Sequence, residues 1–216
     1  MTERIAFRDG VTLAGAGPVG EADLRAALAL APHPVAADGG AGRLMALGLV
    51  PEAVIGDMDS LGGTVPDGVR MVPVTEQDTT DFGKCLARVD APFCIGVGFL
   101  GGRVDHTLAA LSVLLEYPAK RVVLLGEEDV AFATPMDWRI TLEPGARVSF
   151  FPLRPCRGVS SAGLRWPIDG LEMVAGGRIG TSNEAVSAEV AVVLDGPGAV
   201  AILPKRYLAA VLTSLA

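Results

Sequence analysis

The sequence predicts an α/β fold, with a mostly parallel α/β sheet domain over residues 1–135 and a smaller antiparallel β-sandwich domain over residues 136–216. In the first part, short apolar runs alternate with stretches of helical period, which calls for parallel strands joined by helices on both faces. Past Pro135 the texture changes to short β-type runs separated by Pro and Gly, as in an antiparallel sandwich. Acidic, glycine-containing loops recur where the apolar runs of the first part stop, and open α/β sheets bind ligands beyond the carboxyl ends of their strands.

The elements follow in order. Strands are expected at residues 11–14, 34–37, 53–55, 93–97 and 122–125, and helices at 21–30 and 40–47. Phe82, Cys85, Leu86 and Val89 keep a 3.6-residue period and define a third helix, while Leu108, Leu111, Leu114 and Leu115 define a fourth. The sandwich strands are expected at 138–142, 147–151, 188–194 and 200–203. With the boundary at 134–137 and no long linker, the two domains are expected to pack together. The sequence contains no internal repeat and no low-complexity tract.

A chain of 216 residues, 50% hydrophobic and 5% aromatic, is long enough for one α/β core and a small second domain. Its net charge of −7 argues against nucleic acid or an anionic membrane as partner, since neither gains from an acidic surface. Cys85, Cys94 and Cys156 form neither a close pair nor a metal-spaced cluster, so reduced, buried thiols and a cytoplasmic location are expected. The N-terminus has no apolar leader-like run, and no stretch reaches the roughly eighteen apolar residues needed to span a bilayer. His33, between two prolines, reads as a surface turn residue.

The chemistry is carried by the acidic loops. Asp57 and Asp59 follow the apolar run at 53–55, and residues two apart on an extended chain point the same way, so both carboxylates can meet one hard cation such as Mg²⁺. Taken alone, Asp-x-Asp-Ser reads first as an ordinary solvated turn. Three further segments share the pattern: Asp38 ahead of Gly39 and Gly40, Asp78 and Asp81 at the start of the third helix, and Asp105 after Gly101, Gly102 and Arg103. Glycines admit phosphate oxygens close to the backbone, and helix starts favour anions. Singly, Asp78, Thr80 and Asp105 also suit helix caps. In series they describe one acidic, glycine-lined crevice.

These residues resemble the thiamine pyrophosphokinases, or thiamine diphosphokinases. The motifs ADGGAGRL from Ala37, PEAVIGDMDSL from Pro51, EQDTTDFGKCL from Glu76, GGRVDHTLAAL from Gly101 and GTSNEAV from Gly180 occur in that family's order and cover nearly the whole chain. The resemblance implies a homodimer that transfers diphosphate from ATP to the hydroxyl of thiamine and releases AMP. It implies Asp57, Asp59 and Asp81 as leading Mg²⁺ ligands, with Asp38 and Asp105 as further members of the metal site. Gly42 and Ala110 depart from the family's common pattern, which bears on a ribose or base contact more than on the chemistry.

Diphosphoryl transfer depends on positioning and charge neutralisation, with no covalent nucleophile required. Asp57, Asp59, Asp81 and Asp78 are therefore the catalytic candidates, and the choice of base between Asp78 and Asp81 stays open. ATP is expected to meet Gly39, Gly40, Arg43, Lys84, Gly101, Gly102, Arg103 and His106. Lys84 is either a phosphate contact or a solvated helix lysine, and Arg103 either a planar fork for phosphate or half of a surface salt bridge. His106 is read as a hydrogen-bonding group for nucleotide or loop, in preference to a general base. Thiamine is assigned Gln77, Thr80, Trp166, Thr181, Ser182 and Asn183; Trp166 is equally a packing residue and Ser182-Asn183 equally a hairpin turn. Two competing readings are a diphosphokinase for another heterocyclic alcohol, such as a hydroxymethylpterin, and a non-catalytic thiamine- or nucleotide-binding protein.

Overall fold

The computed structural model describes residues 4–59, 61 and 64–216. They form two compact units, one comprising the chain up to Val113 with Leu124–Glu127, the other Leu114–Val123 with Glu128–Ala216.

Up to residue 127 the chain runs β1 (Ile5–Ala6), β2 (Val11–Ala14), α1 (Glu21–Leu30), β3 (His33–Ala37), α2 (Gly40–Ala46), β4 (Ala53–Gly56), β5 (Arg70–Pro73), α3 (Asp81–Arg88), β6 (Val89–Asp90), β7 (Cys94–Val97), α4 (Val104–Leu114) and β8 (Val122–Leu125). Strands β7, β2, β3, β4 and β5 are neighbours in that order and all parallel. Every residue of β2, β4 and β7 is buried, which is why these strands read as continuous apolar runs: helices cover both faces of a parallel sheet. Thr12 is the polar exception, and its hydroxyl is satisfied by donating to the Ala31 carbonyl at 2.6 Å. From β2 the chain winds through β3 and β4 to β5 on one side, while β7 pairs with the other side of β2. The winding therefore reverses at β2, and the crevice beyond the carboxyl ends of β2 and β7 is where such sheets accept ligands.

Several expectations are corrected. His33 is no surface turn residue: it opens β3 opposite Val11, and its Nδ1 lies 2.8 Å from the Glu52 carboxylate. Val89 is not helical, because α3 ends at Arg88 and Val89 starts β6, paired with β1. Phe93 precedes β7. Strand β5 escaped the sequence pattern because only Val72 of its four residues is buried.

The second unit contains β9 (Asp129–Ala133), β10 (Asp137–Thr141), β11 (Arg147–Pro152), β12 (Cys156–Ala162), β13 (Glu172–Met173), β14 (Gly180–Glu184), β15 (Glu189–Leu194), β16 (Ala199–Pro204), a 3₁₀ turn at Lys205–Tyr207 and α5 (Leu208–Ser214). Two antiparallel sets form, in the orders β14-β11-β16-β9 and β10-β15-β12-β13. β10 alternates exposed and buried residues, the signature of a strand with one face on a core. Trp138 of β10 is fully buried and ties the two sets together, with ring centroids 5.4 Å from Phe132 of β9 and 6.1 Å from Phe150 of β11. Its indole N–H donates to Ser214 at 3.0 Å, so burying it strands no polar group. Cys85, Cys94 and Cys156 are all buried free thiols.

Candidate active site

A cleft of about 710 Å³ opens beyond the carboxyl ends of the parallel strands, lined by residues between Gly15 and Ala110 of the first unit. Its floor is shaped by a close crossing of two loops. A Cβ on Gly15 or Gly17 would stand 2.7 or 2.5 Å from the Gly98 carbonyl, and Gly98 itself has φ +72°, so these three positions admit little but glycine.

Asp38, Asp57 and Asp59 converge at the ends of β3 and β4, with one carboxylate oxygen from each lying within 4.8 Å of the others. Asp38 is 2% exposed and sits at φ +41°, while Met58, between the other two, sits at φ +70°. Non-glycine residues in this left-handed region are strained, and such strain is held by surrounding structure where a site depends on it. Gly56 allows the approach of the two strands, because a Cβ there would meet the Asp38 Cβ at 2.6 Å. Ser60, the last polar residue of this motif, lies outside the described residues.

Lys84 is 2% exposed, and its ammonium lies 3.5 Å from Asp57 and 3.2 Å from Asp81, so it is not a solvated helix lysine. Burial works to lower its pKa, but the hydrogen bond and charge of Asp81, with Asp57 behind them, outweigh burial and leave it raised. The Asp57 carboxyl is held below its ordinary range, first by the Gln77 amide, which donates at 3.1 Å, then by the Asp59 backbone N–H. Two carboxylates thus flank one ammonium, and one of them, Asp57, also belongs to the cluster with Asp38 and Asp59. An all-oxygen donor set with surplus negative charge fits a hard divalent cation such as Mg²⁺.

The remaining sequence candidates divide. Asp81, Thr80, Gly39, Gly101, Gly102, Arg103, Asp105 and His106 line the cleft together with Asp38, Asp57, Gln77 and Lys84. Asp78, Gly40 and Arg43 are not among the lining residues, nor is Asp59, which joins the site through its cluster with Asp38 and Asp57. Thr80 is the N-cap of α3, accepting from the Gly83 N–H at 3.1 Å. Asp105 stands apart from the three clustered carboxylates, because Arg103 clasps it through two hydrogen bonds of 3.1 and 2.6 Å. That clasp and the His106 backbone N–H bring the Asp105 carboxyl down to about 2. Arg103 therefore forms the surface salt bridge that competed with its reading as a free phosphate fork.

Gly15, Ala16, Gly17 and Pro18 also line the cleft, and the sequence analysis gave them no role. The signal was present, since Gly-x-Gly follows the apolar run at 11–14 and precedes a helix. Glu76 was also missed. Its carboxylate accepts from the Asp78 and Thr79 backbone N–H groups and from the Thr79 hydroxyl, which fixes the turn before α3 and lowers the Glu76 pKa.

Thr181, Ser182 and Asn183 lie within strand β14, at an irregularity in its pairing with β11, so the hairpin-turn reading fails. Ser182 has φ +59° and donates its backbone N–H to the Ser149 hydroxyl. Asn183 is 4% exposed and clamps Trp166: its Oδ1 accepts from the Trp166 N–H at 3.1 Å, and its Nδ2 donates to the Trp166 carbonyl at 2.6 Å. The Trp166 side chain is 56% exposed, with the Arg165 guanidinium 5.8 Å from its ring centre, so Trp166 is not a core residue.

The family model for the thiamin pyrophosphokinase catalytic domain matches residues 24–125, and that for the thiamin pyrophosphokinase vitamin B1 binding domain matches residues 139–197. The chain belongs to the thiamin pyrophosphokinase family. The catalytic-domain match contains all the clustered carboxylates and Lys84, and the vitamin B1 binding match contains Trp166 and Asn183. Thiamine pyrophosphokinase 2 of Arabidopsis thaliana is 31% identical over 154 residues, covering 62% of this chain and 58% of the relative. Thiamine pyrophosphokinase 1 of the same plant is 30% identical over 166 residues, covering 67% and 62%. The chain thus spans about three-fifths of the length of these curated relatives. A crystal structure of yeast thiamin pyrophosphokinase shares the fold with a TM-score of 0.78 at 16% identity, over 98% of this chain and 93% of that one.

Proposed function

We propose that the chain is a thiamine diphosphokinase, a transferase that uses ATP to convert thiamine to thiamine diphosphate with release of AMP. The observation that carries this reading is the convergence of Asp38, Asp57 and Asp59 at the ends of adjacent parallel strands, inside the catalytic-domain match and beside the buried Lys84. In the transfer, the thiamine hydroxyl oxygen bonds to the β-phosphorus, the bond from that phosphorus to the oxygen bridging the α-phosphate breaks, and AMP departs with that oxygen. Asp38, Asp57 and Asp59 would hold Mg²⁺, which would supply neutralisation of phosphate charge. Lys84 holds Asp57 and Asp81 close together. Of Asp78 and Asp81, only Asp81 lines the cleft, which favours it as acceptor of the hydroxyl proton. The glycines at the loop crossing leave room for phosphate against the backbone.

The proposal extends to a cytoplasmic homodimer in which Trp166, Thr181 and Ser182 of one copy complete the thiamine site of the other. Its support is the exposed Trp166, with Val159, Val174, Ile179 and Val186 also exposed in the second unit, and the three free buried thiols. Among the described residues no helix is long and apolar enough to cross a membrane. The net charge of −7 disfavours nucleic acid as a partner.

The test is incubation with ATP, Mg²⁺ and thiamine followed by mass analysis, with Asp59→Asn in parallel. Thiamine diphosphate and AMP in equal amounts, lost in the variant, are expected. Product formation with a pterin alcohol but not with thiamine would reassign the substrate.

A further inference from the structure

Resting on the reading of Asp38, Asp57 and Asp59 as a Mg²⁺ site, we infer that Gln77 is a positioning residue for Asp57, fixing which carboxylate oxygen is presented to the metal, and is not a thiamine contact. Two donors converge on one oxygen of Asp57: Gln77 Nε2 lies 3.1 Å and Lys84 Nζ 3.5 Å from Oδ2. On the other oxygen, Oδ1, the contact among the described residues is a long one, 3.4 Å from the Asp59 backbone N–H. Rotation of the carboxylate would break the Gln77 bond, so Oδ1 is the oxygen with capacity left for a cation. Mg²⁺ accepts carboxylates one oxygen at a time in a tight octahedron, and a ligand whose rotation is already fixed loses less entropy on binding.

Gln77 is itself held from both sides. The Val74 N–H donates to the Gly56 carbonyl at 2.7 Å, which ties this segment to the residue preceding Asp57. On the other side the Glu76 carboxylate closes the following turn through Asp78 and Thr79. A side chain needed to follow a mobile substrate has no use for such anchoring, whereas one that orients a metal ligand does.

The experiment compares Gln77→Met and Gln77→Ala with the unsubstituted chain, using Mn²⁺ as probe by electron paramagnetic resonance without ATP or thiamine. Thiamine binding without metal is measured separately by equilibrium dialysis. Methionine keeps the length of the side chain and removes the donor, so it separates the hydrogen bond from packing. Both variants should bind Mn²⁺ about tenfold to a hundredfold more weakly, the range for losing a group that orients a metal ligand. Thiamine affinity and thermal midpoint should stay at the unsubstituted values. Unchanged Mn²⁺ affinity in either variant overturns the inference, and if thiamine affinity falls in its place, Gln77 is a substrate contact. Failure of the unsubstituted chain to bind Mn²⁺ would sink the metal reading itself, a result visible before any variant is made.

Discussion

Gly56→Ala tests the geometry of the carboxylate cluster from outside it. The new methyl carbon would stand 2.6 Å from the Asp38 Cβ and 3.2 Å from its Cα and Cγ. Carbon atoms rest at about 3.5–4.0 Å, so the two must part by roughly 1 Å. Asp38 has little freedom to yield, being buried with its N–H bonded to the Ile55 carbonyl at 2.9 Å and its φ already at +41°. Overpacking of this kind costs about 1–3 kcal/mol. The functional effect should be larger, because Mg²⁺ holds its ligands at about 2.0–2.1 Å and tolerates little displacement. A shift of roughly 1 Å in a catalytic constellation can cost about a hundredfold in rate. The assay is urea denaturation with and without Mg²⁺, together with thiamine diphosphate formation across a Mg²⁺ titration. Mg²⁺ should raise the stability of the unsubstituted chain, since a ligand binding only the folded state stabilises it by mass action, and should raise that of Gly56→Ala far less. Gly42→Ala is the control: nothing lies within 4 Å of a Cβ there, and alanine in α2 should be neutral or stabilising by up to about 1 kcal/mol. A Gly56→Ala protein with undiminished Mg²⁺ stabilisation and turnover would refute the packing of Gly56 on Asp38 as the support of the metal site.

Other outcomes follow from the same contacts. The lowered Asp57 pKa means that its contribution to stability is present above the ordinary value of 3.8 and is lost as pH falls through its folded value. The raised Lys84 pKa means a contribution present below 10.5 and lost as pH rises through its folded value. Lys84→Met should therefore show a smaller alkaline decline in urea midpoint than the unsubstituted chain, and equal declines would contradict the ion pairs. Asn183→Ala strands the part-buried backbone groups that it clamps and should cost about 1 kcal/mol, with a change in acrylamide quenching of Trp166; no measurable loss would argue against the clamp. Refolding an equal mixture of Asp59→Ala and Ser182→Ala chains, each nearly inactive alone, should return roughly a quarter of normal activity if sites are shared in a two-fold dimer. No recovery in verified heterodimers would rule out sharing.

What was legible in the sequence follows from the physics of each element. Strands buried on both faces, such as β2 and β4, announce themselves as unbroken apolar runs, and the acidic residues at their ends mark where the cleft opens. Strands with few buried residues do not: β12 carries Arg157, Ser160 and Ser161, and β5 buries only Val72. The convergence of Asp38 with Asp57 follows from the pairing of β3 with β4, an adjacency that the sequence does not spell out, and Asp38 entered the expected metal site through the family resemblance. The capture of Asp105 by Arg103, the burial of Lys84 between two carboxylates and the clamp of Asn183 on Trp166 depend on side-chain geometry that no spacing encodes. Gly15 and Gly17 carry no functional side chain, so only their place between an apolar run and a helix marks them as cleft lining.

The most direct test of diphosphate transfer is the fate of labelled phosphate. With ATP carrying ³²P at the γ position, thiamine and Mg²⁺, the label should appear as the terminal phosphate of thiamine diphosphate, and with α-labelled ATP it should remain in AMP. Label from the γ position in thiamine monophosphate or inorganic phosphate, with ADP as the nucleotide product, would contradict attack at the β-phosphorus and the function proposed for this cleft.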